Sequence, residues 1–120
     1  MQVNPTERNI SVLERIIEYC NQADAALIRF GNSVEDLEND TDFRNALSMC
    51  ILQIGELTTL LTEDFRDSYT DIPWQDIKKM RNLAVHHYWR FDAQILWETA
   101  NNDISPLRDY CKKCIDMLKR

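Results

Sequence analysis

Turn-forming residues are scarce in this chain, with two glycines and three prolines in 120 residues. An all-β domain of this length needs a turn roughly every 8–12 residues, so the scarcity excludes that class and favours long helices. No apolar run approaches the roughly 18 residues that a membrane-spanning helix requires. The N-terminal stretch from Met1 to Asn9 also lacks the apolar centre of a signal peptide. These absences lead us to expect a soluble, cytoplasmic protein with no membrane partner, and four cysteines (Cys20, Cys50, Cys111, Cys114) held as reduced thiols. Gly-rich phosphate loops, His-Glu-x-x-His and Gly-x-Ser-x-Gly elements are missing as well, and we expect no cofactor and no metal. Positive charge is outnumbered, 14 Lys and Arg against 20 Asp and Glu, for a formal net charge of -6. That balance disfavours broad electrostatic binding along a nucleic acid and leaves room for one local phosphate site.

What is present is helical periodicity, and the length suits one domain spanning residues 1–120. Asn4-Pro5-Thr6-Glu7 reads as a helix start, with Asn4 as N-cap, proline at the first helical position and Glu7 three residues after the cap. Behind it Leu13, Ile16, Cys20, Ala23, Leu27 and Phe30 make one apolar stripe, ending near Gly31. Residues 32–37 are expected to add at most one helical turn, and Glu38 to Thr41 to connect. A second long helix opens at Asp40 or Thr41 on the stripe Phe43, Leu47, Cys50, Ile54, Leu57, Leu61. Gly55 lies inside it, where glycine costs about 1 kcal/mol against alanine; close approach of another helix or chain would offset that. For Glu56 the plain expectation is a solvated charge, and the alternative is a carboxylate that orients Arg81 or a histidine.

Asp67 to Asp71 is expected as a loop. A third helix then begins at Ile72-Pro73-Trp74, with Trp74, Ile77, Met80, Arg81, Ala84 and Tyr88 on one face at about 100° per residue. Asp92 is the expected N-cap of a last helix with the stripe Ala93, Leu96, Ala100, Ile104, Leu107, Cys111, Cys114, Leu118, kinked or broken by Pro106. Four principal helices with short connections make an all-α antiparallel bundle of four to five helices. Cys111-x-x-Cys114 falls on the apolar stripe with no second pair, so core cysteines explain it better than redox or zinc chemistry. Trp74 and Trp97 read as core or interface anchors, whereas Trp89 remains a possible base contact.

The stretch from Lys78 to Arg90 holds both histidines, His86 and His87, and four basic residues, with no Asp or Glu. A cationic island in an acidic chain suits an anion. Arg81 shares the apolar face, where a guanidinium is costly without a carboxylate, a phosphate or an interface to meet. The plain account of the histidines is that they close a helix, where a cation is mildly favoured. The functional account is RNA cleavage without a metal, in which a base takes the ribose 2′-OH proton, an acid protonates the leaving oxygen and fixed positive charge meets the phosphorane. Histidine serves either proton role near neutrality, and such transfers are typically worth about 10²–10⁴ in rate. Arginine supplies a permanent charge in a fork that fits phosphate. Positions five apart on a helix, however, differ by about 140° and roughly 7.5 Å. Arg81 and His86 therefore converge only if the helix stops near Val85 or a symmetric dimer pairs Arg81 of one chain with His86 of the other; we expect both. Tyr88, if its hydroxyl carried a nucleotide, would place a phosphodiester in the same cationic field.

The pattern Ile72-Pro73-Trp74-x-x-Ile77-x-x-Met80-Arg81-Asn82-x-x-Val85-His86-x-Tyr88 is followed by Asp92, Leu96-Trp97-Glu98 and Asn102-Asp103-Ile104-x-Pro106-Leu107. With Gln53-Ile54-Gly55-Glu56 upstream, it resembles the HepT family of HEPN-domain toxins over most of the chain. The resemblance implies a dimeric HEPN-like helical bundle and a metal-independent endoribonuclease with a composite cleft at the dimer interface. Arg81 and His86 would be catalytic and Asn82 a supporting polar neighbour. It further implies a toxin of a type VII-like toxin–antitoxin system, silenced when a minimal nucleotidyltransferase antitoxin, assembled with it in a higher-order heteromer, adenylylates Tyr88. His87 falls at a variable position of the pattern and receives no catalytic role. The competing reading is a non-catalytic module of the same fold that docks RNA, a nucleotide or a partner through the same cluster.

Overall fold

The computed structural model describes residues 4–31, 33–86 and 92–120, with residues 83–86 described by backbone alone. Among these residues seven α-helices and one π-helical turn carry the chain, with no strand. The fold is all-α, as the scarcity of turn residues predicts. Helix α1 spans Pro5–Phe30, and Asn4 caps it by accepting a hydrogen bond from the Glu7 amide at 2.8 Å. It ends at Gly31, whose φ of 147° is open to glycine and strained for other residues. Helix α3, Thr41–Thr58, starts on Asp40, whose carboxylate accepts from the Asp42 and Phe43 amides.

Two short helices depart from the sequence expectation. Helix α2, Val34–Asn39, takes in Glu38 and Asn39, so that the expected connection shrinks to Asp40. Asn32, at the start of that stretch, lies outside the described residues. Helix α4, Glu63–Ser68, takes in Asp67 and Ser68, which the sequence places in a loop. Six residues are too few to show a period. Each is fixed instead by a side-chain cap, Ser33 or Thr62, and by one buried residue, Leu37 or Phe65.

Helix α5 spans Trp74–His86, opening just after Pro73, whose carbonyl accepts from the Ile77 amide. Asp92 caps α6, Ala93–Glu98, as expected. The expected interruption takes the form of a π turn, Thr99–Asp103, before α7, Ile104–Leu118. Pro106 has no N–H and its ring crowds the carbonyl four residues back, at Asn102; a locally widened ladder accommodates both.

Helix α1 packs on α3 and α7, and α3 in turn carries α5. The core holds the stripes read from sequence: Leu13, Ile16 and Cys20 of α1, Phe43 and Leu47 of α3, Leu96 of α6, and Leu107, Cys111 and Cys114 of α7 are all buried. Trp74 is buried too, and its indole N–H donates to the Tyr69 carbonyl at 2.7 Å. Among the described residues α5 leans chiefly on α3, so the position of Arg81 is decided by that one helix pair.

Candidate functional site

Helix α5 crosses α3 at Gly55. A methyl group added there would stand 2.4 Å from the Arg81 Cβ and 2.7 Å from its Cγ, well inside contact distance. Only a residue without a Cβ lets the two backbones come this close. The close approach expected from a glycine in mid-helix is present, and the stem of Arg81 fills the space.

Glu56, one residue on, is half exposed, yet it is not simply a solvated charge. Its Oε1 lies 3.4 Å from Nε of Arg81, whose side chain is only 21% exposed. The ion pair with Arg81, the alternative raised for Glu56 from sequence, is the arrangement observed. Nε itself is shielded from solvent and has no hydrogen-bond acceptor among the described residues. The contact thus meets an ion-pair distance but not hydrogen-bond geometry; charge attraction tolerates the misalignment and a hydrogen bond does not. A half-exposed pair contributes about 0–1 kcal/mol at most. The pair therefore adds little to the stability of the bundle.

Asn82 follows Arg81 on α5 and is partly buried, while Lys78 and Lys79 are exposed. The backbone of α5 is helical through His86, one residue past Val85 and without a break after Arg81, and residues 87–91 lie outside the described ones. An unbroken helix directs Arg81 and His86 about 140° apart and separates them by roughly 7.5 Å along the axis. His87, Tyr88 and Trp89 lie outside the described residues.

The cysteines behave as packing residues. All four thiols are free and buried. Burial pushes Cys20 up to about 12 and Cys50 up to about 11, and raises Cys111 and Cys114 as well. Nucleophile and metal ligand are both the thiolate, so these shifts favour the core reading of Cys111-x-x-Cys114. Among the described residues no group of three or more His, Cys, Asp or Glu is placed to hold a metal ion. A cavity of about 350 Å³ opens between α3, α5 and α7, with Ile54, Ile77, Met80 and Leu107 in its walls. No local pattern marks it, because its walls come from three separate stretches of chain; none of the expected site residues is among the described residues lining it.

Comparison with known proteins gives a consistent picture. The family model described as HepT-like, "Ribonuclease HepT-like", matches residues 10–114. A relative from Caldanaerobacter subterraneus subsp. tengcongensis, named as an inferred RNase, is 30% identical over 74% of this chain and 80% of its own. A second inferred RNase, from Methanocaldococcus jannaschii, is 29% identical over 83% of this chain and 81% of its own. From Thermococcus cleftensis a protein named "Probable ribonuclease HepT" is 30% identical over 66% of this chain and 72% of its own. No solved structure matches the chain.

Proposed function

Because the chain belongs to the HepT-like ribonuclease family, we propose that it is a metal-independent endoribonuclease whose active cleft is shared by two copies. The observation that carries this reading is the seat of Arg81, a cationic fork fixed by Gly55 and Glu56 on the helix that ends at His86. Since α5 is continuous, the pair meets across a symmetric dimer, Arg81 from one protomer facing His86 from its partner.

In that cleft a neutral His86 imidazole takes the proton from a ribose 2′-OH. The oxygen attacks the adjacent phosphorus, and the charge that gathers on the non-bridging oxygens faces Arg81, which cannot deprotonate. The P–O5′ bond breaks, an imidazolium gives its proton to the leaving 5′ oxygen, and a 2′,3′-cyclic phosphate remains. Two symmetry-related His86 side chains can divide the base and acid roles. Asn82 supports the cleft as a polar neighbour of Arg81. An adenylyl group on Tyr88, placed there by a nucleotidyltransferase antitoxin, would occupy the phosphate position and silence the enzyme, as a toxin–antitoxin pair requires.

The test is cleavage of a mixed RNA by purified, unmodified protein in EDTA, with His86→Ala and Arg81→Ala prepared identically. Cleavage by the wild type alone, with cyclic phosphate ends, is the expected result. Activity retained by His86→Ala removes the catalytic assignment. The divergence of Arg81 and His86 within one chain favours a second reading, a docking module for RNA or a nucleotide. That reading is selected if the bare protein binds RNA, weakening steeply with salt, and cuts none.

A further inference from the structure

Arginine on a helix ordinarily samples many rotamers, and a cation misplaced by about 1 Å can cost 10²-fold in rate. We propose that Gly55 and Glu56 form a positioning cradle for Arg81, with Glu56 the residue that sets the direction of its guanidinium. The inference rests on the reading of Arg81 as the cation of a ribonuclease site.

Two contacts restrict the side chain at its two ends. Near the backbone, Cβ and Cγ lie against the bare Cα of Gly55, within the space a methyl group would need. Farther out, the Glu56 carboxylate meets Nε at 3.4 Å. Nε is the guanidinium nitrogen nearest the stem, so holding it there leaves the Nη1–Nη2 edge as the fork for two phosphate oxygens. The sign of the charge also argues for positioning. A half-exposed carboxylate beside a phosphate site repels RNA, so Glu56 weakens substrate binding and is useful there only through what it does to Arg81.

That opposition makes the inference testable by a split in kinetic constants. For Glu56→Ala we expect kcat to fall about 10- to 100-fold, with KM unchanged or lower and the thermal midpoint close to wild type. Glu56→Asp keeps the charge that makes the ion pair and should retain more activity than Glu56→Ala. Against Arg81→Lys, which keeps the charge but lacks Nε in a fork, the Glu56→Ala effect should largely vanish. If kcat is unchanged or higher in Glu56→Ala while Arg81→Ala is inactive, the cradle is wrong and the ribonuclease assignment stands. If the wild type cuts no RNA, the assignment itself has failed. A readout independent of turnover then decides the cradle: exchange of the Arg81 Nε–H proton by NMR. Slow exchange in wild type and faster exchange in Glu56→Ala supports it, and equal rates overturn it.

Discussion

A methyl group at position 55 has nowhere to go, because the atoms it would strike are the near end of Arg81, Cβ and Cγ, rather than a flexible tip. Alanine is the better helix former by about 1 kcal/mol, yet overpacking of this kind typically costs about 1–3 kcal/mol. Gly55→Ala should therefore lower the urea midpoint, and should lower RNA cleavage further than the loss of stability explains, because α5 must shift. The thiols make a prediction of their own. Burial holds Cys20 and Cys50 well above the ordinary thiol value, so above about pH 9 the unfolded chain releases protons that the folded chain retains. Stability is full below the unfolded value and declines as pH rises toward 11 and 12, by up to about 1.4 kcal/mol per pH unit per thiol. Urea titrations at pH 8, 9 and 10 should show this decline, with a shallower slope for Cys20→Ala.

Local chemistry and tertiary contact share the definition of the elements. Asn4 and Asp92 cap α1 and α6 as their sequence positions suggest, and Asp40, one of the two expected start positions, caps α3, since a cap needs only a side chain and the amides two or three residues ahead. The start of α4 is different. Buried Asn9 of α1 donates to the Thr62 hydroxyl and accepts from the Thr62 amide, both at 3.0 Å, and the same hydroxyl caps α4 by accepting from the Phe65 amide. Residues 53 positions apart thus fix a six-residue helix, a connection no local pattern carries. Asn9→Ala strips the Thr62 amide of its acceptor, and the cost of such an unpaired group is about 1–3 kcal/mol. Urea unfolding should register that loss, and hydrogen exchange at the Phe65 amide should quicken more than at the middle of α1.

At the scale of the molecule, the unbroken α5 makes the proposed enzyme dependent on two copies. Arg81→Ala and His86→Ala should each be inactive alone. Mixed, unfolded and refolded together, they should recover about a quarter of wild-type cleavage where one Arg81–His86 pair in trans suffices, because half the dimers are mixed and each carries one such pair, and none where the two His86 side chains divide the base and acid roles. Recovery identifies a site built from one arginine and one histidine of different protomers; no recovery means that each site needs both copies of both residues. Among the described residues no helix is long and apolar enough to cross a membrane, which agrees with the absence of such a run in the sequence.

By itself the sequence determined the all-α class, the stripes of α1, α3 and α7, the helix caps Asn4 and Asp92 and an interruption of the last helix near Pro106. Each of these depends on residues within a turn or two of one another, where spacing alone encodes the contact. It also marked Gly55 as costly in a helix interior and raised, as the alternative to a solvated charge, that Glu56 orients Arg81 or a histidine. Only the tertiary structure decided that the stem of Arg81 fills the space at Gly55 and that Glu56 meets its Nε, because that contact joins positions about 25 apart across two helices. It alone decided that α5 continues to His86, since neither a glycine nor a proline lies between Arg81 and His86 and periodicity has no terminator to read there.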